Sequence, residues 1–463
     1  MPFSEQIVGW RLTAFADTQT ALGAGVTYLP EAADAFRLVS FNIDRKSPAG
    51  PRQDAHGTPG RRGQIAQHKT ASFSLDYYAT GGGGTGTAAD WANLLTAGGW
   101  SVTTAGGDTT VSGGSSTTTV VDVADASGIS AGDAVVISGQ LRRVTAVDTA
   151  STPDNITITP ALSAAPANAV TVGHALTYTL NPRRVSAGTE LTLWRFSNRT
   201  GDMLIGAVIT SITITMSGGD EARISVEGQA AQHRSIVSTT LSSGIDASVT
   251  TIPLTAGECI PDDVSATAPV YVQIGSEVLE IIAISGNSAT SSARGVYGTG
   301  GAAASHSSAD EVFPYQPDGT YVTANPIART TGELSVGAVT LQHESASASV
   351  DLGVNFTENS HGSQWAIDHY NLNRWEVTTE NTGSSYYDEQ LVQMQKAIER
   401  DQVQVFAQAG NTAGSLIAFE IPNAGLEVPS FSVERDSEVS VTLSGPGYEQ
   451  NGSDVSEIYL MVG

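Results

Sequence analysis

Cysteine, positive charge and long apolar runs are all scarce in these 463 residues, and each scarcity removes a class of function. Cys259 is the one cysteine, which excludes an internal disulfide and a cysteine-rich zinc site. Lys and Arg number 22 against 47 Asp and Glu, a formal net charge of −25. That balance argues against gripping DNA or RNA by neutralising phosphates, and against docking on an anionic membrane. The longest apolar runs, such as Val135-Val136-Ile137 and Ile281-Ile282-Ala283-Ile284, fall far short of the roughly 20 residues a membrane-spanning helix needs. Met1-Pro2-Phe3-Ser4-Glu5-Gln6 lacks the basic region and apolar core of a secretory signal, so folding in a reducing cytosol is expected. Charged residues are 15% of the chain, so surface polarity must rest on Ser, Thr, Asn and Gly.

What is present is period-two alternation. Phe73, Leu75 and Tyr77 alternate with Ser72, Ser74 and Asp76; Ile212, Ile214 and Met216 with Ser211, Thr213 and Thr215. Val350, Leu352, Val354 and Phe356 alternate with Ser349, Asp351 and Asn355, and Val439, Val441 and Leu443 with Glu438, Ser440 and Thr442. Such runs predict antiparallel strands with one buried and one polar face. Only two stretches have helical spacing: 88–97, with Trp91, Leu94 and Leu95, and 388–400, with Leu391, Met394, Ala397 and Ile398 on one stripe.

The chain also resembles itself. Leu191-Thr192-Leu193-Trp194, then Asn198 and Gly201, resembles Val403-Gln404-Val405-Phe406, then Asn411 and Gly414, at an offset of 213. Residues 71–76 resemble 347–352, with Leu75 matching Leu352 at an offset of 277, so the first copy should carry about 64 extra residues. Val135-Val136-Ile137, Gly139 and Val144-Thr145-Ala146-Val147 parallel Val270-Tyr271-Val272, Gly275 and Ile281-Ile282-Ala283-Ile284. A duplicated β-domain with two related small modules is expected.

In order along the chain come Arg61-Arg62-Gly63-Gln64, the strand at 71–78, a Gly-rich loop, a helix with Trp91, Leu94-Leu95 and Gly98, then 190–196 and 206–228. The second half has 347–357, a helix, 403–420, Ile421-Pro422 and 454–461. In this order the chain resembles the major tail tube proteins of long-tailed (siphovirus-type) bacteriophages, of the group with two fused tube domains. The stretch with Ile274-Gly275-Ser276-Glu277, Ala293-Arg294-Gly295-Val296-Tyr297-Gly298-Thr299 and His306 is similar to modules common in phage tail and baseplate proteins.

The resemblance implies an all-β fold: two tail-tube-type β-sandwich or barrel domains, each with one packed helix, plus two small β-rich modules. The expected division is tube domain 1 at 1–107 and 174–238, interrupted by a module at 108–173, then a linking module at 239–325 and tube domain 2 at 326–463. It further implies a non-enzymatic virion protein without cofactor or metal, made in the host bacterial cytoplasm and residing in the tail. The chain would pair with itself in trimeric, pseudo-six-fold rings stacked into a tube. Tape measure, tail terminator and distal or baseplate proteins would be partners, and double-stranded DNA would pass transiently; no membrane is involved. Candidate lumen-facing residues are Ser72, Ser74, Asp76, Asp351, Asn355, Glu434, Asp436 and Glu438. Candidate inter-ring residues are Arg45, Lys46, Arg52, Arg61, Arg62 and Lys69, a basic loop in an acidic protein. The alternative is a modular β-protein binding host-surface glycans or a receptor, with Tyr386-Tyr387, Trp365 and Tyr370 as aromatic candidates.

Two motifs invite enzymatic readings and fail on context. Residues 81–86 fit G-x-G-x-x-G, but the preceding strand alternates with Ser and Asp, whereas a dinucleotide-binding strand is apolar on both faces. Residues 128–132 fit G-x-S-x-G, but a β-run rather than a helix follows Ser130. His361 and His369 lack metal-site spacing, and the pairs Asp262-Asp263 and Asp388-Glu389 supply too few oxygens for calcium.

Overall fold

A computed structural model describes residues 13–19, 28–46, 49–51, 64–66, 69–180, 190–197, 199–217, 220–295, 302–322, 324–328, 332–337, 339–358, 367–372, 375–384, 387–428, 430–432, 440–449 and 456–463. The protein is all-β, with two helices, Ala92–Ala97 and Tyr387–Glu399, among the described residues. Its centre is an antiparallel run of eight strands. Their order is Ser40–Lys46, Thr70–Tyr78, Arg223–Val237, Thr200–Ser217, Val339–Asp351, Glu376–Ser384, Ser440–Pro446 and Ser430–Ser432. The first four come from the first half of the chain and the last four from the second.

Alternation decides which face is buried. Phe73, Leu75, Tyr77, Ile212, Ile214, Met216, Val226, Val350, Val377 and Leu443 all point into one core that runs unbroken across both halves. A second layer covers that core. It pairs Trp100–Thr104, Leu176–Leu180, Tyr459–Val462, Ser415–Gly425, Gln402–Thr412 and Glu333–Val336 in that order, and Thr13–Gln19 pairs with Glu190–Ser197. Trp91, Leu94 and Leu95 fix the first helix to the core, and the Trp91 indole donates to the Thr80 carbonyl at 3.2 Å. In the second helix Gln393 and Ala397 face inward, while Ile398 is exposed, contrary to its expected place on the apolar stripe. Gln393 is there because its amide donates to the Val336 carbonyl at 2.8 Å.

Both halves follow the same strand order. In each, the first strand lies next to the second, the second beside the last, and the last beside its predecessor. Thr70–Tyr78 therefore corresponds to Glu376–Ser384, each leading to a helix, and not to residues 347–352 as the sequence match suggests. A second correction concerns Asn355. Gly353 sits at φ +60°, which ends one strand at Asp351, and Val354–Glu358 pairs separately with Ile367–Leu372.

The two small modules are closed six-stranded barrels of identical topology. One runs Thr109–Thr110, Thr171–His174, Ala134–Ile137, Gln140–Asp148, Asp154–Thr159, Val120–Val123, closed by a Val111–Val123 bridge. The other runs Thr239–Thr240, Glu311–Pro314, Val270–Ile274, Glu277–Ser285, Ser288–Arg294, Thr251–Pro253, closed by a Leu241–Leu254 bridge. Each has its own apolar interior, with Val121, Ile137 and Ile156 in the first and Ile252, Val272 and Ile281 in the second. Closure leaves neither barrel an open edge.

One buried group works against this fold. Glu190 opens its strand with Oε2 buried and without a hydrogen-bond partner among the described residues, and burial pushes its carboxyl up to about 7. A carboxyl raised from 4.5 contributes its full stability below pH 4.5 and loses it as pH rises through 7. Glu190→Gln is expected to gain about 2 kcal/mol at pH 8 and nothing near pH 4, as read by urea unfolding at both pH values.

Candidate assembly interface

The solvent-side face of the eight-stranded sheet is almost wholly Ser, Thr and acid. Register places Asp44, Ser72, Gln229 on one line and Ser74, Glu227, Ser211, Asp351, Glu376 on another. A third holds Ser40, Asp76, Ser225, Thr213, Ser349 and Thr378. Asp44, Asp76, Glu227, Asp351, Glu376 and Glu380 stand on this face against Lys46 and Arg223. Hydroxyls knit it together. Ser40 and Ser225 donate to the Asp76 carboxylate at 2.7 and 2.5 Å, and Thr213 and Ser349 meet at 2.9 Å.

That last contact crosses the seam between the halves. There Ser211 pairs with Asp351, Thr213 with Ser349, Thr215 with Ser347 and Ser217 with Ser345. The seam joins the last-but-one strand of one half to the first strand of the other. The same two kinds of strand end the sheet. Among the described residues, Ser40–Lys46 pairs within the sheet on one side only, with Thr70–Tyr78, and Ser430–Ser432 on one side only, with Ser440–Pro446.

The candidates named from sequence separate on this framework. Ser72, Ser74, Asp76 and Asp351 share the polar face, while Asn355 stands apart on the Val354–Glu358 hairpin. Glu434, Asp436 and Glu438 lie outside the described residues, as do Arg52, Arg61 and Arg62. Lys46 is on the polar face, paired with Asp44 at 3.0 Å, and Lys69 precedes the strand Thr70–Tyr78. Arg45 turns to the other side and donates to Nδ1 of His233 at 3.4 Å. His233 in turn bonds Asp202 at 3.0 Å. Burial pushes the Asp202 carboxyl up, but hydrogen bonds from His233 and Arg195 outweigh it and hold it near about 2. Arg45 is nonetheless exposed, and this one bond ties it to its own half. Each half does extend a hairpin from the same end of the sheet. Ala49–Pro51 with Gln64–Ala66 follows Lys46, and Val354–Glu358 with Ile367–Leu372 follows Asp351.

The chain matches no known protein-family model, and no curated protein matches it in sequence.

The glycines at 81–86 pack on the chain itself. Gly83 donates to the Gly414 carbonyl at 3.3 Å, and a Cβ on Gly81 would lie 2.1 Å from that same oxygen. Gly81 and Gly83 thus pack on the hairpin turn of the second half. Ser130 lies in a turn leading to the strand Ala134–Ile137, with its amide donating to Asp133 at 2.8 Å. Asp263 is taken by Arg234 at 3.2 Å. Trp365 and Tyr386 lie outside the described residues.

Sequence reasoning missed Arg142, Arg143, Glu333 and Glu420. Arg143 meets Glu420 through two bonds of 2.9 and 2.7 Å, and Arg142 meets Glu333 at 2.8 Å. A signal existed: Glu420 interrupts Leu416-Ile417-Ala418-Phe419, and Arg142-Arg143 follows Leu141 in a β-run. A charge inside an apolar run needs a buried partner.

Proposed function

We propose that this chain is a structural protein that polymerises through its sheet edges into rings, which stack into the tail tube of a long-tailed bacteriophage. The observation that carries the proposal is the seam. Within one chain, pairing Thr200–Ser217 to Val339–Asp351 joins the two halves, and the corresponding strands, Ser430–Ser432 and Ser40–Lys46, end the sheet at its two sides among the described residues. Repeating the seam between copies removes both edges, and closing a ring satisfies every edge at once.

Three copies bring twenty-four strands. At about 4.8 Å per strand the ring is roughly 37 Å across before tilt, wide enough for a double helix inside its side chains. The polar face becomes the lining. Its excess of carboxylates repels phosphate, so DNA slides rather than sticks. The paired hairpins at one end of the sheet give each ring a rim from which to meet the next.

Electron microscopy of the concentrated protein should show stacked rings with a central channel and three-fold averages. A chain that stays monomeric at high concentration, and also with a tail initiator complex, overturns the proposal.

A further inference from the structure

The first small barrel is inserted in one half but docks on the other. Its two ends leave from the paired strands Trp100–Thr104 and Leu176–Leu180, in the second layer of the first half. Its body sits on Gln402–Thr412 and Ser415–Gly425 of the second half. Ala134, Val136 and Leu141 of the barrel form one dry cluster with Phe406, Leu416, Ala418 and Met461. At the centre Glu420, fully buried, takes both bonds from Arg143 and a third from the Gln404 amide at 2.8 Å. The Arg143 guanidinium lies 4.5 Å from the centre of the Tyr459 ring. Gln408 accepts from the Leu141 amide at 2.8 Å and donates to the Gly139 carbonyl at 3.0 Å. Gly139, at φ +75°, passes so close to Asn411 that a Cβ there would lie 2.2 Å from its carbonyl oxygen.

These contacts make a triangle. One side is the seam of the eight-stranded sheet, the second is the pairing of Leu176–Leu180 with Tyr459–Val462, and the third is the barrel. Along the line of the seam the halves are also joined by the unbroken core and the second-layer pairing, yet strand pairs tolerate a range of twist about that line. A third, buried contact away from that line removes the freedom.

We infer that the barrel is a brace: clamped through Arg143 on Glu420, it sets the angle between the two halves before any copy meets another. If the ring reading holds, on which the consequence rests, each chain arrives as a preformed third of the circle, and only the joints between chains take their angle on assembly.

The test uses the full chain with Cys259→Ser and spin labels at Asn42→Cys and Ser432→Cys, below the assembly concentration. Double electron–electron resonance should give a narrow distance distribution in this background. In Arg143→Met/Glu420→Met, which strands no charge, the distribution should broaden at least two-fold. Hydrogen exchange at the Leu141 amide should rise at least ten-fold. A distribution that stays narrow in the double variant overturns the brace. Ring formation is scored separately by microscopy: rings from a chain whose angle ignores the clamp leave the functional reading intact, and a chain with a fixed angle that never forms rings defeats that reading alone.

Discussion

Asn42→Cys and Ser432→Cys, placed together in a Cys259→Ser chain, should cross-link into a covalent ladder that ends at a closed trimer. The pair follows from the repeat. Lys46 and Asp351 are the last residues of corresponding strands, which aligns Asn42 with Ser347. Thr70 and Glu376 align the second strands, and through Tyr78 opposite Arg223, and Ser384 opposite Ser440, Ser432 aligns with Thr215. Thr215 and Ser347 face each other across the seam inside the chain. Asn42 and Ser432 should therefore face each other across the joint between copies. Within one copy they sit on opposite edges, seven spacings of about 4.8 Å apart, far beyond the ~7 Å that a disulfide spans between Cα atoms. Any bond is thus a bond between molecules. Moving the first cysteine to Ser40 or Asp44 should cut the yield several-fold, since a slip of two residues keeps the face but separates the pair. Denaturing gels without reductant read the outcome; monomer alone, or a ladder indifferent to position, removes the seam from the assembly.

The strands themselves were legible because alternation is a physical requirement of a sheet with one wet face. Phe73, Leu75, Tyr77, Ile212, Ile214 and Met216 all lie where their period puts them. The hairpin repeat around Trp194 and Phe406 was also legible, since a turn with its flanking apolar residues is a distinctive pattern. The match of 71–76 to 347–352 misled for the converse reason. Strands of one sheet with one polar face share the same alternation, so composition does not tell the second strand of a half from the first. Gly353 shows the limit on strand length, because alternation continues through it while its positive φ breaks the ladder. The brace was out of reach. Glu420 is recognisable as a misfit in an apolar run, but its partner is 277 residues away in the chain, and only the fold brings the two together.

Arg143→Ala should cost about 3–5 kcal/mol of stability, the usual penalty for removing one member of a buried ion pair. The Glu420 side chain has no exposure, so it cannot recover water once the guanidinium is gone, and the Gln404 amide is its one remaining hydrogen-bond donor among the described residues. The truncation also opens a void against Tyr459, which adds lost contact to the stranded charge. Arg143→Met/Glu420→Met should cost much less in global unfolding, because it strands no charge and keeps most of the volume, the lost clamp showing instead in local opening of the barrel contact. Denaturant unfolding followed at the second half, where Phe406 and Tyr459 sit, separates the two variants. A single variant that costs less than about 1 kcal/mol would mean that the barrel lifts away and lets water reach Glu420, so that the inserted module is an attachment to the fold. A large cost for the single variant and a small one for the double places the barrel in the load path between the halves, because a charge stays stranded only where the surrounding packing refuses to open.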